Sequence, residues 1–272
     1  MPTAWYFKKD HNFGDLLTPI ILRHFGLKVD HVPEKKNMSA DIIGIGSILQ
    51  AVPNAYPGRI WSSGFMKTGN RRSFTDKKMQ IYAVRGKLTQ AHILAGNYAS
   101  DFALGDGGLL LADLCKKPVG RPKYKIGIIP HYVDYLTVAR RVKFTRRKNP
   151  DVVLINLKGK SMRSIIQQIA ACESVLSSSL HGLVAADAFG IPNRQFQVST
   201  SKKISSGDLF KYRDYYSAFD MVLPVPVRLR PNTSMQEAIS AATSTRPRHN
   251  LDRVKFNLRR ATRQMICNLG VN

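Results

Sequence analysis

The residues best suited to chemistry lie in one short segment, Ser177-Ser178-Ser179-Leu180-His181-Gly182. A β-prone pair, Val175 and Leu176, precedes this segment, and an apolar run from Leu183 to Phe189 follows it. We therefore expect a strand, a tight loop and a helix, in that order. In such a unit the loop lies at the carboxyl end of a parallel strand, where open α/β sheets bind their ligands.

His181 is expected at the mouth of this helix, where unpaired backbone N–H groups and the helix dipole favour an anion. A phosphate or carboxylate there would keep the imidazolium protonated, so that His181 could act as a general acid. The alternative is a histidine that only caps its helix. Gly190, with Pro192 two residues later, predicts where the helix ends.

A second group of polar residues lies near the start of the chain. Asn12, Gly14 and Asp15 fall between a predicted strand at 5–7 and a predicted helix at 16–25. Glycine permits close approach of the backbone in such a turn. The Asp15 carboxylate could cap the helix or face the site as a base, and capping is favoured because aspartate is among the preferred N-cap residues.

Two further strand ends carry candidate ligand-binding groups. Gly46 and Ser47 follow a buried-type strand in a glycine turn that is expected to open a helix. The G-x-G there lacks a third glycine, so it predicts no dinucleotide cofactor. Arg85 follows the predicted strand 79–84, where it could form a bidentate clamp on phosphate or carboxylate. The alternative is a solvated arginine, as most arginines are.

The predicted alternation of strands and helices is broken only at residues 116–122, which contain two prolines and a glycine. This composition predicts a linker between two domains. The predicted domains are 1–118, 119–225 and a basic helical segment, 226–272. Each of the first two repeats the alternation, which favours two parallel-sheet layers with ligands between them. His131 follows the predicted strand 124–129 and is a candidate for a second active-site group.

The charge balance points to an anionic partner. The 272 residues include 42 Lys and Arg against 18 acids, a formal net charge of +24. None of the usual nucleic-acid-binding patterns is present, so a membrane surface or a phosphorylated substrate fits better than nucleic acid. Three cysteines without paired metal-ligand spacing favour a reducing compartment, and we expect a cytoplasmic protein without a metal.

Two observations bear on membranes. The first ten residues lack the apolar core of a signal peptide, and no run of about 18 apolar residues occurs, so we expect no segment that crosses a bilayer. Residues 251–265 instead form a basic amphipathic pattern. Such a helix could lie on an anionic membrane, or it could pack on its domain with a charged outer face.

The chain resembles the polysaccharide pyruvyl transferase family over about residues 10–220. The resemblance rests on six motifs in order: Asn12-x-Gly14-Asp15, Gly44-Ile45-Gly46-Ser47, Val84-Arg85-Gly86-x-Leu88-Thr89, Gly105-Asp106, Ile129-Pro130-His131-Tyr132, and Ser178-Ser179-Leu180-His181-Gly182-Leu183 with Asp187-Ala188-Phe189-Gly190-Ile191-Pro192. The serine–leucine–histidine–glycine motif is the most specific.

The resemblance implies two Rossmann-like domains arranged as in GT-B glycosyltransferases, with the active site in the cleft between them. It implies transfer of a pyruvyl group from phosphoenolpyruvate onto two hydroxyls of a saccharide, free or lipid-linked, without a cofactor. His181 would be the general acid, and Asp15 or His131 the base. The predicted substrate-binding residues are Arg85, Ser178, Ser179, Leu180, Gly182, Asn12, Gly14, Gly46 and Ser47.

Some branches of the family carry an arginine where this chain has Ser179. The second phosphate-binding cation is therefore open, with Lys202, Lys203, Arg194 and Arg213 as candidates. Two other classes also stay open: a GT-B-type glycosyltransferase that uses a nucleotide sugar, and a noncatalytic basic binding protein.

Overall fold

The computed structural model describes residues 1–8, 12–93, 101–148, 150–159, 161–198, 208–229, 237, 239–240, 242 and 248–270. The chain divides into two compact units. The first consists of Met1–Leu110, Leu209–Leu223 and Asn250–Asn272, and the second of Leu111–Asp208 and Pro224–His249. In this division the chain enters the second unit before the proline-rich stretch, and the segment predicted as 226–272 contributes to both units.

The first unit is built on a parallel sheet. Its strands are β1 (Thr3–Trp5), β2 (Asp30–His31), β3 (Ile42–Ile43), β4 (Arg59–Ser63), β5 (Gln80–Val84) and β6 (Ala103–Leu104). They lie in the order β2-β1-β3-β4-β5-β6, and each neighbouring pair is parallel. The carboxyl ends of these strands therefore meet at one edge of the sheet, so the turns that follow them can form one site.

Helices of the first unit come from distant parts of the chain. They are α1 (Leu17–His24), α2 (Lys87–His92), α7 (Phe210–Ser217) and α8 (Leu251–Cys267). Short 3₁₀ turns cover Glu34–Ser39, Leu49–Ala51 and Gly107–Leu110. The prediction of a helix after the Gly46 turn is wrong, because the structure forms a single 3₁₀ turn there, at Leu49–Ala51.

The C-terminal helix α8 packs on the sheet of the first unit at β5 and β6. The apolar residues of its predicted stripe, Leu251, Val254, Leu258, Ala261 and Met265, are all buried. Trp61 on β4 donates its indole N–H to Thr262 Oγ1 at 3.0 Å. The sequence left open whether residues 251–265 lie on an anionic membrane or pack on their domain. The buried apolar residues confirm that the apolar face packs on the domain.

The second unit holds its own parallel sheet. Its strands are β7 (Tyr124–Ile129), β8 (Val152–Leu154), β9 (Cys172–Ser177), β10 (Asn193–Val198) and β11 (Val227–Leu229), in the order β11-β10-β9-β7-β8. Its helices are α3 (Leu111–Leu114), α4 (Tyr135–Lys148), α5 (Met162–Ala170) and α6 (Leu180–Ala188). A buried apolar cluster that includes Ile126, Leu176 and Phe196 forms its core.

The predicted α/β class with two parallel sheets is thus confirmed, and both units are consistent with a Rossmann-like fold. The GT-B-like arrangement and the interdomain cleft stay predictions. No helix of the described residues has the length and apolar character needed to cross a membrane. The candidate cations Lys202 and Lys203 lie outside the described residues.

Candidate active site

The strand–loop–helix unit around His181 forms as the sequence predicts, with the strand at the centre of its sheet. Strand β9 ends at Ser177 and lies between β7 and β10. The Ser177 hydroxyl donates to the carbonyl oxygen of Ile129 at 2.9 Å and accepts the backbone N–H of Ser179 at 3.0 Å. These bonds fix the loop to the end of the neighbouring strand, so the helix that follows starts from a rigid support.

His181 lies inside the first turn of α6, because the helix begins at Leu180, three residues before the predicted start. Ser179 is the N-cap residue, yet its side chain makes no capping hydrogen bond. The side chain of His181 is almost buried, at 9% exposed. His181 is therefore not the cap of its helix, and the first-turn N–H groups have no side-chain cap from Ser179.

Gly182 explains how α6 comes so close to the end of β9. A Cβ atom on this residue would collide with the Ser177 hydroxyl and would lie 2.9 Å from Cγ2 of Ile129. Only glycine leaves room for this approach without displacement of the strand. The glycine thus lets the first turn of α6 lie close to the carboxyl ends of β9 and β7.

The structure also brings His131 to this loop. The Ser178 hydroxyl accepts the backbone N–H of His131 at 2.8 Å and lies 3.2 Å from Oδ2 of the buried Asp134. The His131 ring packs on Tyr132, with 4.4 Å between ring centroids, and Nδ1 accepts the N–H of Val133 at 3.4 Å. Five predicted residues of the second unit, Ser178, Ser179, Leu180, His181 and Gly182, thus lie together with His131.

The predicted residues of the first unit form a second group at the carboxyl edge of its sheet. The Asp15 carboxylate packs against Gly46, whose φ is +144°, and accepts a hydrogen bond from the side-chain amide of Asn12. Gly14 lies between them in sequence, and its carbonyl oxygen accepts the N–H of Leu17 at 3.1 Å. The prediction that Asp15 caps α1 is wrong, because Leu16 is the N-cap residue and its helix has no side-chain cap.

Burial makes the Asp15 carboxyl group a weaker acid than that of an ordinary aspartate. The side chain is 3% exposed, and this desolvation, with the nearby charge of Asp106, raises its pKa from 3.8 to about 8. Asp106, two residues beyond the end of β6, has its pKa raised to about 6 by burial. Lys211 on α7 responds in the opposite sense, because burial and then Arg85 lower its pKa to about 8. Such clustered shifts are typical of functional sites.

Arg85 stands at the end of β5, as predicted, but its guanidinium is turned into the protein. It is 1% exposed, and it donates from Nε to Asp214 Oδ2 at 2.8 Å, from Nη1 to Ser47 Oγ at 2.5 Å and from Nη2 to the Phe65 carbonyl at 2.6 Å. Both carboxylate oxygens of Asp214 also accept bonds from Thr89. Arg85 and Ser47, both predicted to bind substrate, are thus joined by a hydrogen bond. All three hydrogen bonds of the guanidinium are made to groups of the protein itself.

Neither described candidate for the second phosphate-binding cation lies in these two groups. Arg194 donates to the Val225 carbonyl at 2.9 Å, and Arg213 donates to Thr68 Oγ1 at 3.3 Å near the surface. We did not predict Lys211, whose pKa responds to the charges of Arg85 and Asp15. Its sequence signal is the aromatic segment 210–216, where Lys211 and Asp214 recur at the spacing of one helical turn.

Comparison with known proteins identifies the class. The polysaccharide pyruvyl transferase family profile matches residues 12–194. This range contains the predicted acid, the candidate bases and the predicted substrate-binding residues, but not the candidate cations Lys202, Lys203 and Arg213. The chain therefore belongs to the polysaccharide pyruvyl transferase family.

Two known proteins are similar in sequence to parts of this chain. Succinoglycan biosynthesis protein ExoV of Rhizobium meliloti (strain 1021) is 28% identical over 207 residues, which cover 74% of this chain and 60% of ExoV. Uncharacterized protein L143 of Acanthamoeba polyphaga mimivirus is 32% identical over 142 residues, which cover 52% of this chain and 48% of L143. The chain thus spans about half to three fifths of the length of these relatives. No solved structure matches it.

Proposed function

We propose that the protein transfers a pyruvyl group from phosphoenolpyruvate to two hydroxyls of a saccharide and so forms a ketal and releases phosphate. Family membership supports pyruvyl transfer, and similarity to a succinoglycan biosynthesis protein supports a role in assembling an extracellular polysaccharide. The observation that carries the proposal is the position of His181 in the first turn of a helix whose N-cap side chain makes no capping bond.

This elbow suits the charge of the donor. Phosphoenolpyruvate is a small polyanion, and the N–H groups of a helix N-terminus together with the helix dipole stabilise negative charge. Ser178, Ser179, Leu180 and Gly182 would line the donor through their backbone and hydroxyl groups. His181 would lie beside the bound anion, whose charge favours the imidazolium form.

In the proposed reaction the two acceptor hydroxyls lose two protons, and these balance the protons gained by the methylene carbon and by phosphate. The imidazolium of His181 gives a proton to the methylene carbon, so that the carbon bearing the phosphate becomes electrophilic. One saccharide hydroxyl adds to that carbon as its O–H bond breaks. Phosphate leaves with the electron pair of its C–O bond, and the second hydroxyl closes the ketal. One hydroxyl proton replaces the proton that His181 gave, and the other leaves with phosphate.

The first unit would serve the acceptor. Asn12, Gly14, Asp15, Gly46 and Ser47 supply the hydroxyl, amide and carboxyl groups by which proteins commonly hold sugars. In this proposal Arg85 acts by holding Ser47, whereas the sequence predicts direct contact with the donor. His131 beside Ser178 is the candidate base in the second unit, and Asp15 is the candidate in the first.

We also propose that the protein works at an anionic membrane surface, where a lipid-linked acceptor would be found. The net charge of +24 supports this attraction. Because the apolar face of α8 is buried against the protein, the attraction to the membrane would be electrostatic.

The test is to incubate the purified protein with phosphoenolpyruvate and saccharide acceptors, free and lipid-linked. We expect acceptor-dependent phosphate release together with a new ketal methyl signal by proton NMR. Parallel reactions with nucleotide sugars should transfer nothing. Glycosyl transfer without ketal formation, or steeply salt-dependent DNA binding without turnover, would overturn the proposal.

A further inference from the structure

A pocket of about 610 Å³ in the first unit is lined by residues of α8, β5 and β6 and of the turns beside them. All of its lining residues belong to the first unit, and none of them is among the predicted site residues. Binding sites for small organic molecules usually measure about 300–1,000 Å³. The pocket is therefore large enough for an organic ligand, and its residues are not those of the groups around Asp15 and His181.

The helix α8 and its C-cap residue contribute a polar stripe to this pocket. The stripe recurs at intervals of three or four positions, which places its members on one side of the helix: Arg253, Asn257, Arg260, Gln264 and Asn268. The side chains of Asn257, Arg260 and Gln264 make neither a hydrogen bond nor an ion pair with any residue that the structure describes. Their donors and acceptors are therefore available to a ligand.

Strand β5 adds a phenol group that two amides hold in place. Tyr82 donates its hydroxyl to Gln80 Oε1 at 2.8 Å and accepts the side-chain amide of Asn268 at 2.8 Å. These bonds leave the amide N–H groups of Gln80 and the side-chain carbonyl of Asn268 without a partner among the described residues. Ile81 and Val254 add apolar surface to the lining. Amides and a phenol beside apolar side chains suit the hydroxyls and the apolar face of a sugar ring.

The charges of the pocket leave one cation for an anion. Its lining holds three basic residues and two acidic ones, Asp101 and Asp220. Lys87 and Arg253 both pair with Asp220, which lies 3.3 Å from Arg253 Nη2. Arg260 has no acidic partner in the part of the chain that the structure describes, and a guanidinium can bind a carboxylate through two parallel hydrogen bonds. The pocket therefore suits a ligand with one negative group better than a polyphosphate.

We propose that this pocket is a binding site for an acidic oligosaccharide, in which Arg260 binds a carboxylate and the amides of Asn257 and Gln264 bind hydroxyls. Membership in the polysaccharide pyruvyl transferase family supports a saccharide as the ligand. The site goes beyond the proposed transfer, because it is formed by the first unit alone and holds a saccharide chain whether or not a reaction takes place. A pyruvate ketal carries a carboxylate, so a pyruvylated saccharide belongs to the same ligand class.

Isothermal titration calorimetry with two matched trisaccharides tests the role of Arg260. One trisaccharide ends in glucuronic acid and the other in glucose, so they differ by one carboxylate in place of a hydroxymethyl group. We expect wild-type protein to bind the acidic trisaccharide at least about tenfold more tightly, and Arg260→Gln to bind both equally. Arg263→Gln is the matched control, because Arg263 is exposed on the same helix but does not line the pocket, and it should keep the preference.

Recognition of the hydroxyls is tested by replacing both Asn257 and Gln264 with alanine. This double variant should bind both trisaccharides at least about tenfold more weakly and should still prefer the acidic one. Its thermal unfolding should match that of the wild type, because neither side chain is bonded to the described protein. Unchanged affinity in the double variant would overturn the saccharide site.

Three other results would also overturn the proposal. Free glucuronate that binds as tightly as the acidic trisaccharide would indicate an anion site only. Equal losses in Arg260→Gln and Arg263→Gln would indicate general attraction by the net charge of +24. Binding of phosphatidylglycerol vesicles that depends on Arg260, without binding of the trisaccharide, would assign the pocket to a lipid surface. Binding of the trisaccharide that depends on Arg260 in a protein that forms no ketal would support this site and overturn only the proposed function.

Discussion

Arg85 and Asp214 form a buried ion pair, in which Nε lies 2.8 Å from Oδ2 and the two side chains are 1% and 0% exposed. The pair joins the end of β5 to α7, so a segment more than a hundred residues later in the chain shapes the turn after Val84. Gly64 lies against the same guanidinium, and a Cβ there would stand 2.5 Å from Arg85 Cζ. The arginine that ends the strand is thus an organising element of the first unit.

Asp214→Asn should destabilise the protein strongly, because it leaves the Arg85 guanidinium buried without its counter-charge. Loss of one partner of a buried pair typically costs about 3–5 kcal/mol. Urea titration gives the free energy of unfolding. Asp220→Asn is the control, because Asp220 pairs with Lys87 and Arg253 at the surface, and the change should stay within about 1 kcal/mol. Equal effects of the two substitutions would contradict a stabilising role for the buried pair.

Much of the alternation of strands and helices was predictable, because strands such as β4 and β7 are short, largely apolar runs bounded by glycine or proline. The helix α4 was not predicted, since its sequence is strongly basic and its buried apolar residues, such as Val138 and Val142, are widely spaced. The helix α7 was missed because its aromatic and charged residues follow no clear apolar stripe. Two-residue strands such as β2 carry too little pattern to be recognised.

The site was predictable where a motif is local and not where it depends on tertiary contacts. The Ser178–Gly182 elbow forms from consecutive residues, so its sequence specifies its shape. The burial of Arg85 and Asp15 depends on residues from α7 and from beyond β6, which no local pattern reveals. The pairing of Asp214 with Arg85 is likewise set by the packing of elements that are distant in sequence.

Asp15→Asn should change how stability depends on pH. Asp15 has a pKa raised from 3.8 to about 8, so folding favours its protonated form. Its favourable contribution is complete below about pH 4 and is lost as pH rises to about 8. Asparagine stays neutral, so the variant should gain up to a few kcal/mol relative to the wild type between pH 5 and pH 9. Urea titrations at both pH values measure this difference.

The control for that experiment is Asp30→Asn, because Asp30 is exposed on the edge strand β2. Its stability difference from the wild type should hardly vary over the same pH range. A variant at Asp15 whose free energy of unfolding runs parallel to the wild type would show that the carboxyl group titrates in its ordinary range. The raised pKa of Asp15 would then be wrong.

Gly182→Ala should destabilise the second unit and slow the proposed reaction. The new methyl group would collide with the Ser177 hydroxyl and press on Ile129, and overpacking of this kind costs about 1–3 kcal/mol. Displacement of α6 would also move His181. Gly69→Ala is the matched control, since nothing lies within 4 Å of a Cβ there. Thermal unfolding and ketal formation together should separate the two glycines, and equal behaviour would contradict the close contact.

Membrane attraction should depend on salt and not on the apolar stripe of α8. Phe256 is the exposed aromatic residue of that helix, at 62% exposed, while the stripe itself is buried. We expect sedimentation with anionic vesicles at low salt, its loss as salt rises above about 0.3 M, and no change in Phe256→Ser. Binding that persists in high salt, or that fails in Phe256→Ser, would indicate insertion of apolar groups instead.

His181 offers the sharpest test of the proposed chemistry. As the general acid it should give its proton to the methylene carbon of the donor, and loss of such a group typically slows a reaction by 10²–10⁴-fold. His181→Ala and His181→Gln should therefore stay folded and bind phosphoenolpyruvate, yet form ketal at least about 100-fold more slowly. In deuterated water they should place almost no deuterium in the ketal methyl group on the wild-type timescale.

A structural role would give a different pattern. His181 lies in the first turn of α6 and is not its N-cap residue, so a structural loss would appear in the unfolding free energy and leave the chemistry of the folded fraction intact. His24→Gln is the matched control, because His24 ends α1 in an exposed position and should change neither quantity. Near-normal turnover in both His181 variants would transfer the search for the acid to His131, whose backbone N–H is held 2.8 Å from the Ser178 hydroxyl.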